Sequence, residues 1–200
     1  MSVIKTTIGA IFKPKKPKYV SISVLTNTPP AVDVIDGRKT LESHPTRRWK
    51  TRQLEKIDRI IIHQSLADAK VSALNEYHIS PGNHISSDGL PHIAYHFVIS
   101  REGVIWRCNN YADVTWHCKG VNTRSIGVCV VGNFSGPGHL GSDGPSEDQI
   151  AALEYLQWFI SDELQQAFLL HGHMDYNKYA CPGYVLERWV RETRGETLNV

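Results

Sequence analysis

The chain has 200 residues, 41% of them apolar, which is enough for one hydrophobic core and sets the expectation of a single domain of ordinary size. No stretch approaches the roughly 18–20 apolar residues of a membrane span. Met1 to Phe12 is broken by Lys5 and too short in its apolar part for a signal peptide, so synthesis without a standard export signal is expected. The four cysteines, Cys108, Cys118, Cys129 and Cys181, show no Cys-x-x-Cys spacing, which argues against a zinc ribbon or a disulfide framework.

The net charge is only +2, but residues 1–60 hold 13 Lys and Arg against 5 Asp and Glu. A basic front end suits an anionic partner such as nucleic acid, a membrane or an envelope polymer, and suits a solvated tail equally well. Residues 1–56 are expected as a partly irregular N-terminal extension. Within it Phe12 to Lys18 is basic and proline-rich, Val20 to Leu25 alternates like a short strand, and Asp36-Gly37 signals a turn.

From Ile57 the pattern sharpens. Arg59 to His63 (RIIIH) predicts a buried strand ending on a histidine. Ala67 to His78 has helical composition and stops before Ser80-Pro81-Gly82. Ile93 to Ser100 predicts a strand, Arg101 to Gly103 a turn, and Val104 to Arg107 its hairpin partner. Ser125 to Gly132 is apolar on both alternating sets, as a central strand is, and Ser135 to Pro145 is a loop rich in glycine and proline. Ser146 with Gln149 three residues on predicts a capping box, opening a helix with Ile150, Leu153, Leu156 and Ile160 on one face. Ala167 to Leu170 predicts a last strand and Val185 to Arg194 a closing helix. The alternation implies an α/β fold, a central mixed sheet flanked by helices, over residues 57–200.

Three residues suggest chemistry. His63 ends one apolar strand, His173 follows another, and Cys181 comes eight positions later, before Pro182-Gly183. Two imidazoles and a thiolate leave a tetrahedral zinc one open position for water, the pattern of a catalytic site. Spacing alone specifies little, because a histidine eight residues before a cysteine is commonplace.

The surrounding motifs specify more. In order they are IIIH (60–63), PHIAYHFVI (91–99), EGVI (102–105), HCKGVN (117–122), SIGV (125–128) and GH (172–173) with CPG (181–183). In these the chain resembles the type 2 N-acetylmuramoyl-L-alanine amidases, a family that includes phage lysozyme-type amidases and animal peptidoglycan recognition proteins. The resemblance spans roughly residues 57–183 and implies hydrolysis of the amide between the muramic-acid lactyl group and the first L-alanine of peptidoglycan. It implies that His63, His173 and Cys181 bind zinc, and that Tyr95 faces the metal-bound water or the scissile carbonyl. Strand phase would put Phe97 and Ile99 beside Tyr95 as a cleft wall and turn His96 the other way as a structural residue. His117 and Asn122 match the loop that holds substrate, with stabilisation of a turn as the alternative for each.

One position departs from the family pattern. Two residues before the zinc cysteine, phage enzymes often carry lysine and some recognition proteins threonine; here Tyr179 stands there, with Lys178 before it. A phenol donates a hydrogen bond but brings no positive charge at neutral pH. Recognition proteins that bind without cutting characteristically lack the zinc cysteine, so Cys181 favours an enzyme over a binding module. Some phage amidases of this type also inhibit a polymerase, which offers a regulatory reading of the basic front end. A phage or prophage endolysin fits best in setting: a monomer made in the host cytoplasm, acting on cell-wall peptidoglycan after release. A bacterial recycling or toxin-like amidase fits nearly as well.

Overall fold

A computed structural model describes residues 30–136 and 144–196. Its core is a six-stranded sheet in the order β1-β4-β3-β5-β2-β6, with β1 Val34–Asp36, β2 Arg59–Gln64, β3 Phe97–Ile99, β4 Ile105–Arg107, β5 Ser125–Val130 and β6 Leu169–Gly172. Only β3 and β4 run antiparallel; every other pair is parallel, so the sheet is mixed as expected. Helices α1 (Val71–Ile79), α2 (Glu147–Leu164) and α3 (Tyr184–Thr193) complete it. No described helix is long and apolar enough to cross a membrane.

The two faces of the sheet are built differently. Ile60, Ile62, Phe97, Ile99, Ile126, Val128 and Val130 face Leu153, Leu156 and Ile160 of α2 and Leu186 and Val190 of α3 in one apolar cluster. Each fully buried aliphatic side chain there is worth about 1.5–3 kcal/mol relative to exposure. The alternate residues Val98, Cys129 and Val131 point the other way, into a smaller cluster with Val71, Ile93 and the half-buried Tyr95. His63 pairs with Cys129 across β2 and β5, and by alternation it belongs to this second face.

Ser146 and Gln149 form the expected capping box. Gln149 is fully buried, and its amide nitrogen also donates to Ser100 O at 3.0 Å and Val131 O at 2.8 Å, tying α2 to the ends of β3 and β5.

Four expectations change. The helix expected from Ala67 begins at Val71: Leu66 has a left-handed φ of 61°, and Lys70 caps with no side-chain bond. β6 lies two residues later than expected, because its register with β2 runs from Arg59↔Leu169 to Ile62↔Gly172. The strand expected from Ile93 begins only at Phe97. Ahead of it side-chain amides take up the backbone groups: Asn75 Oδ1 accepts from Ile93 N at 2.9 Å, and Asn109 Nδ2 donates to Ile93 O and Tyr95 O. That irregular stretch breaks the alternation, so Tyr95 packs with the Val98 cluster and not beside Phe97 and Ile99.

Residues expected as an extension also join the sheet. β1 pairs in parallel with β4 through Val34↔Ile105. Arg52 donates to Tyr111 O (2.9 Å), Asn122 O (2.5 Å) and Ser125 O (2.6 Å), and burial lowers its pKa to about 10. The strand expected at Val20 to Leu25 and residues 137–143 of the expected loop lie outside the described residues.

Candidate active site

The parallel register of β2 and β6 creates the site. Because Ile62 stands opposite Gly172, the next residues, His63 and His173, reach the same end of the sheet together. Their ring centroids are 4.4 Å apart. Cys181 arrives on the loop before α3, with Sγ 3.6 Å from His63 Nδ1. One donor atom from each of the three lies within 4.8 Å of the others.

Gln64 holds that loop. Its Nε2 donates to Ala180 O at 2.5 Å, while its Oε1 accepts from Phe134 N at 2.5 Å. Sequence reading missed this residue; the available signal was a second buried polar side chain, after His63, at the end of the strand.

The donor set fits zinc. With Zn–N near 2.0 Å and Zn–S near 2.3 Å, tetrahedral ligation holds nitrogen and sulfur about 3.5 Å apart, close to the observed 3.6 Å. Protonation favours the histidines. Burial pushes His63 well below its usual range, with His173 and His117 adding to the shift. Burial and then the Lys178 charge bring His173 down to about 4. Both imidazoles are therefore neutral near pH 7, as ligands must be. Burial raises the Cys181 thiol to about 12, so an ion must displace that proton.

Tyr95 lies at the edge of the triad, its ring centroid 5.1 Å from that of His63. Burial, then Cys129 and Cys181, hold its phenol well above the usual range, so it remains an O–H donor. The Asn109 amide fixes its backbone from behind, through the 2.6 Å bond to Tyr95 O.

His117 and Asn122, for which substrate holding and turn stabilisation are both expected, make contacts within the protein. His117 is 6% exposed, and both ring nitrogens are engaged inside the protein, Nδ1 with His63 Nε2 at 3.0 Å and Nε2 with Ser125 Oγ at 3.1 Å. Asn122 Oδ1 accepts from Cys118 N at 2.7 Å, which stabilises the turn of its own loop. The reason lies in β5, which brings Ser125 and Gly127 under the imidazole. His96 is wholly buried and structural: Nδ1 accepts from Gly127 N at 3.0 Å, and Nε2 lies 3.0 Å from Asp113 O.

Tyr179 is 76% exposed, and among the described residues its hydroxyl reaches Asn177 Oδ1 at 3.5 Å. Lys178 is the cation whose field reaches His173.

Residues 53–184, which carry the triad, Tyr95 and His117, match the N-acetylmuramoyl-L-alanine amidase family model. The chain belongs to that family. This amidase is 28% identical over 146 residues to the endolysin of Escherichia phage T7, covering 71% of its own length and 91% of the endolysin. It is 31% identical over 99 residues to the endolysin of Enterobacteria phage K11, covering 50% of its own length and 64% of the endolysin. In fold the amidase is similar to peptidoglycan recognition protein LE, solved in complex with tracheal cytotoxin, a monomeric diaminopimelic acid-type peptidoglycan. That likeness has a TM-score of 0.65 at 19% identity and covers 81% of this chain and 93% of the other.

Proposed function

We propose that this amidase is a zinc-dependent phage or prophage endolysin that hydrolyses the amide between the muramic-acid lactyl group and L-alanine in peptidoglycan. The observation that carries the reading is the convergence of His63, His173 and Cys181 within 4.8 Å beside Tyr95. Zinc, when bound, supplies a Lewis acid for the scissile carbonyl and lowers the pKa of a water towards about 7. His63 and His173 hold it as neutral nitrogen donors, and Cys181 holds it as a thiolate after giving up its proton.

In the overall reaction the amide C–N bond breaks. Water leaves its hydroxyl on the lactyl carbonyl carbon and one proton on the alanine amine. Tyr95 keeps its phenolic proton and donates it as a hydrogen bond to the carbonyl oxygen as negative charge develops there. Lys178, on the exposed loop beside His173, brings the positive charge that Tyr179 lacks. The basic first 60 residues concentrate the enzyme on anionic envelope polymers. We read the protein as a monomer, made in the cytoplasm and acting on the cell wall after release.

The test is mass spectrometry of digested sacculi, with and without a chelator. Stem peptides with a free N-terminal alanine, absent when the chelator is present, are the expected products. Retention on sacculi without peptide release would instead identify a recognition module.

A further inference from the structure

The contacts around His117 fix where its protons sit. Ser125 Oγ lies 2.8 Å from Val121 O, an acceptor only, so the hydroxyl proton goes there. The hydroxyl lone pair then faces His117 Nε2 at 3.1 Å, which places the proton of a neutral imidazole on Nε2 and the lone pair on Nδ1. His117 Nδ1 is 3.0 Å from His63 Nε2, so His63 carries its proton on Nε2. The remaining nitrogen, His63 Nδ1, presents its lone pair beside Cys181 Sγ at 3.6 Å. One chain of three hydrogen bonds, ending on a backbone carbonyl, thus selects the tautomer in which His63 ligates through Nδ1.

The sheet makes room for this arrangement. A Cβ at Gly127 would stand 2.5 Å from His117 Cγ and 2.7 Å from its Nδ1, closer than real Cβ contacts come. Gly127 lies inside the fully buried strand β5 and is absent from the positive-φ glycines, so space for the ring, not backbone freedom, calls for glycine there.

We propose that His117, anchored by Ser125 and seated on Gly127, is a positioning residue that fixes the orientation and tautomer of the metal ligand His63. The inference rests on reading the triad as a metal site. A partner on the far nitrogen of a ligating histidine fixes its ring and raises its basicity, and removing such partners typically costs about 10–100-fold in metal affinity.

The experiment measures zinc affinity of the full chain by competition with a chromophoric chelator, together with the absorption spectrum of the cobalt-substituted protein. His117→Phe keeps a ring but removes the acceptor; a loss of about 10–100-fold and an altered cobalt spectrum are expected. His117→Asn, whose Oδ1 takes the place of Nδ1, is expected to recover most of the affinity. Gly127→Ala is expected to weaken zinc binding although His117 itself is retained. Absence of zinc binding in the wild-type protein would overturn the metal reading itself. Wild-type binding with equal affinity in His117→Phe and Gly127→Ala would overturn only the positioning role. If His117→Phe fails to fold, Ser125→Ala decides: reduced affinity supports the chain of hydrogen bonds, and unchanged affinity refutes it.

Discussion

The two faces of the sheet hold together by different means. Under α2 and α3 the packing is aliphatic and aromatic, with Leu153, Leu156, Ile160, Leu186 and Val190 closing over β2, β3 and β5. On the opposite face, buried polar residues are interleaved with a thin apolar cluster: His63, His117, His96, Asn75 and Asn109 satisfy one another or the backbone. The first face gains free energy from apolar burial, to which many residues contribute. On the second, these five side chains each depend on a named partner, since an unmet buried polar group costs roughly 1–3 kcal/mol. Stability and chemistry are thereby separated by one strand thickness, and substitutions on the two faces should fail in different ways.

The largest expected effect is at the triad. Cys181→Ala should abolish zinc retention and reduce stem-peptide release to background, while the metal-free protein keeps its fold by circular dichroism. Tyr95→Phe removes a single donor and should lower kcat by about 10²–10³-fold with zinc still bound; steady-state kinetics on solubilised muropeptides would show it. Leu156→Ala, on the other face, should cost about 2–5 kcal/mol in urea unfolding. The protein that remains folded should bind zinc as the wild type does. Activity lost from the folded Leu156→Ala protein would mean the faces are coupled.

Proton linkage tests the site face alone. With the free thiol raised to about 12 and His173 lowered to about 4, the metal-free site near neutrality holds one proton, on sulfur, that the bound site does not. Zinc binding should release about one proton, and affinity should rise about tenfold per pH unit through the neutral range. Calorimetry in buffers of different ionisation enthalpy measures that number directly. The smallest effect concerns the loop charge: Lys178→Ala should reduce kcat/KM roughly 2–5-fold, as expected of an exposed charge, and Tyr179→Phe should change nothing. The reverse ranking would assign the helper role to the phenol.

Much of the fold was legible where pattern and environment agree. RIIIHQ and SIGVCV read as buried central strands because both faces of each are covered, and Ser146 with Gln149 announced α2 through a purely local signal. The misreadings came where distant groups decide. Ile93 and Tyr95 look like strand residues, yet amides from Asn75 and Asn109 take their backbone bonds. The edge strand Val34–Asp36 has three residues and a partner about 70 positions away, so nothing local marks it. Ligand chemistry suggests the triad and the resemblance specifies it together with Tyr95, whereas the inward turn of His117 depends on Ser125 and Gly127 beneath its ring. Neither residue, read alone, discloses that relation.

Arg52 carries a consequence for where this domain begins. The family match starts at residue 53, one position after it. Yet its guanidinium serves three carbonyls, two of them, on Asn122 and Ser125, flanking the turn into β5. A domain trimmed at the limit of recognisable kinship would therefore leave those oxygens without their donor, directly beneath the His117 loop. Kinship and packing thus end at different places, and the hydrogen bonds of Arg52 reach across the edge of the matched segment.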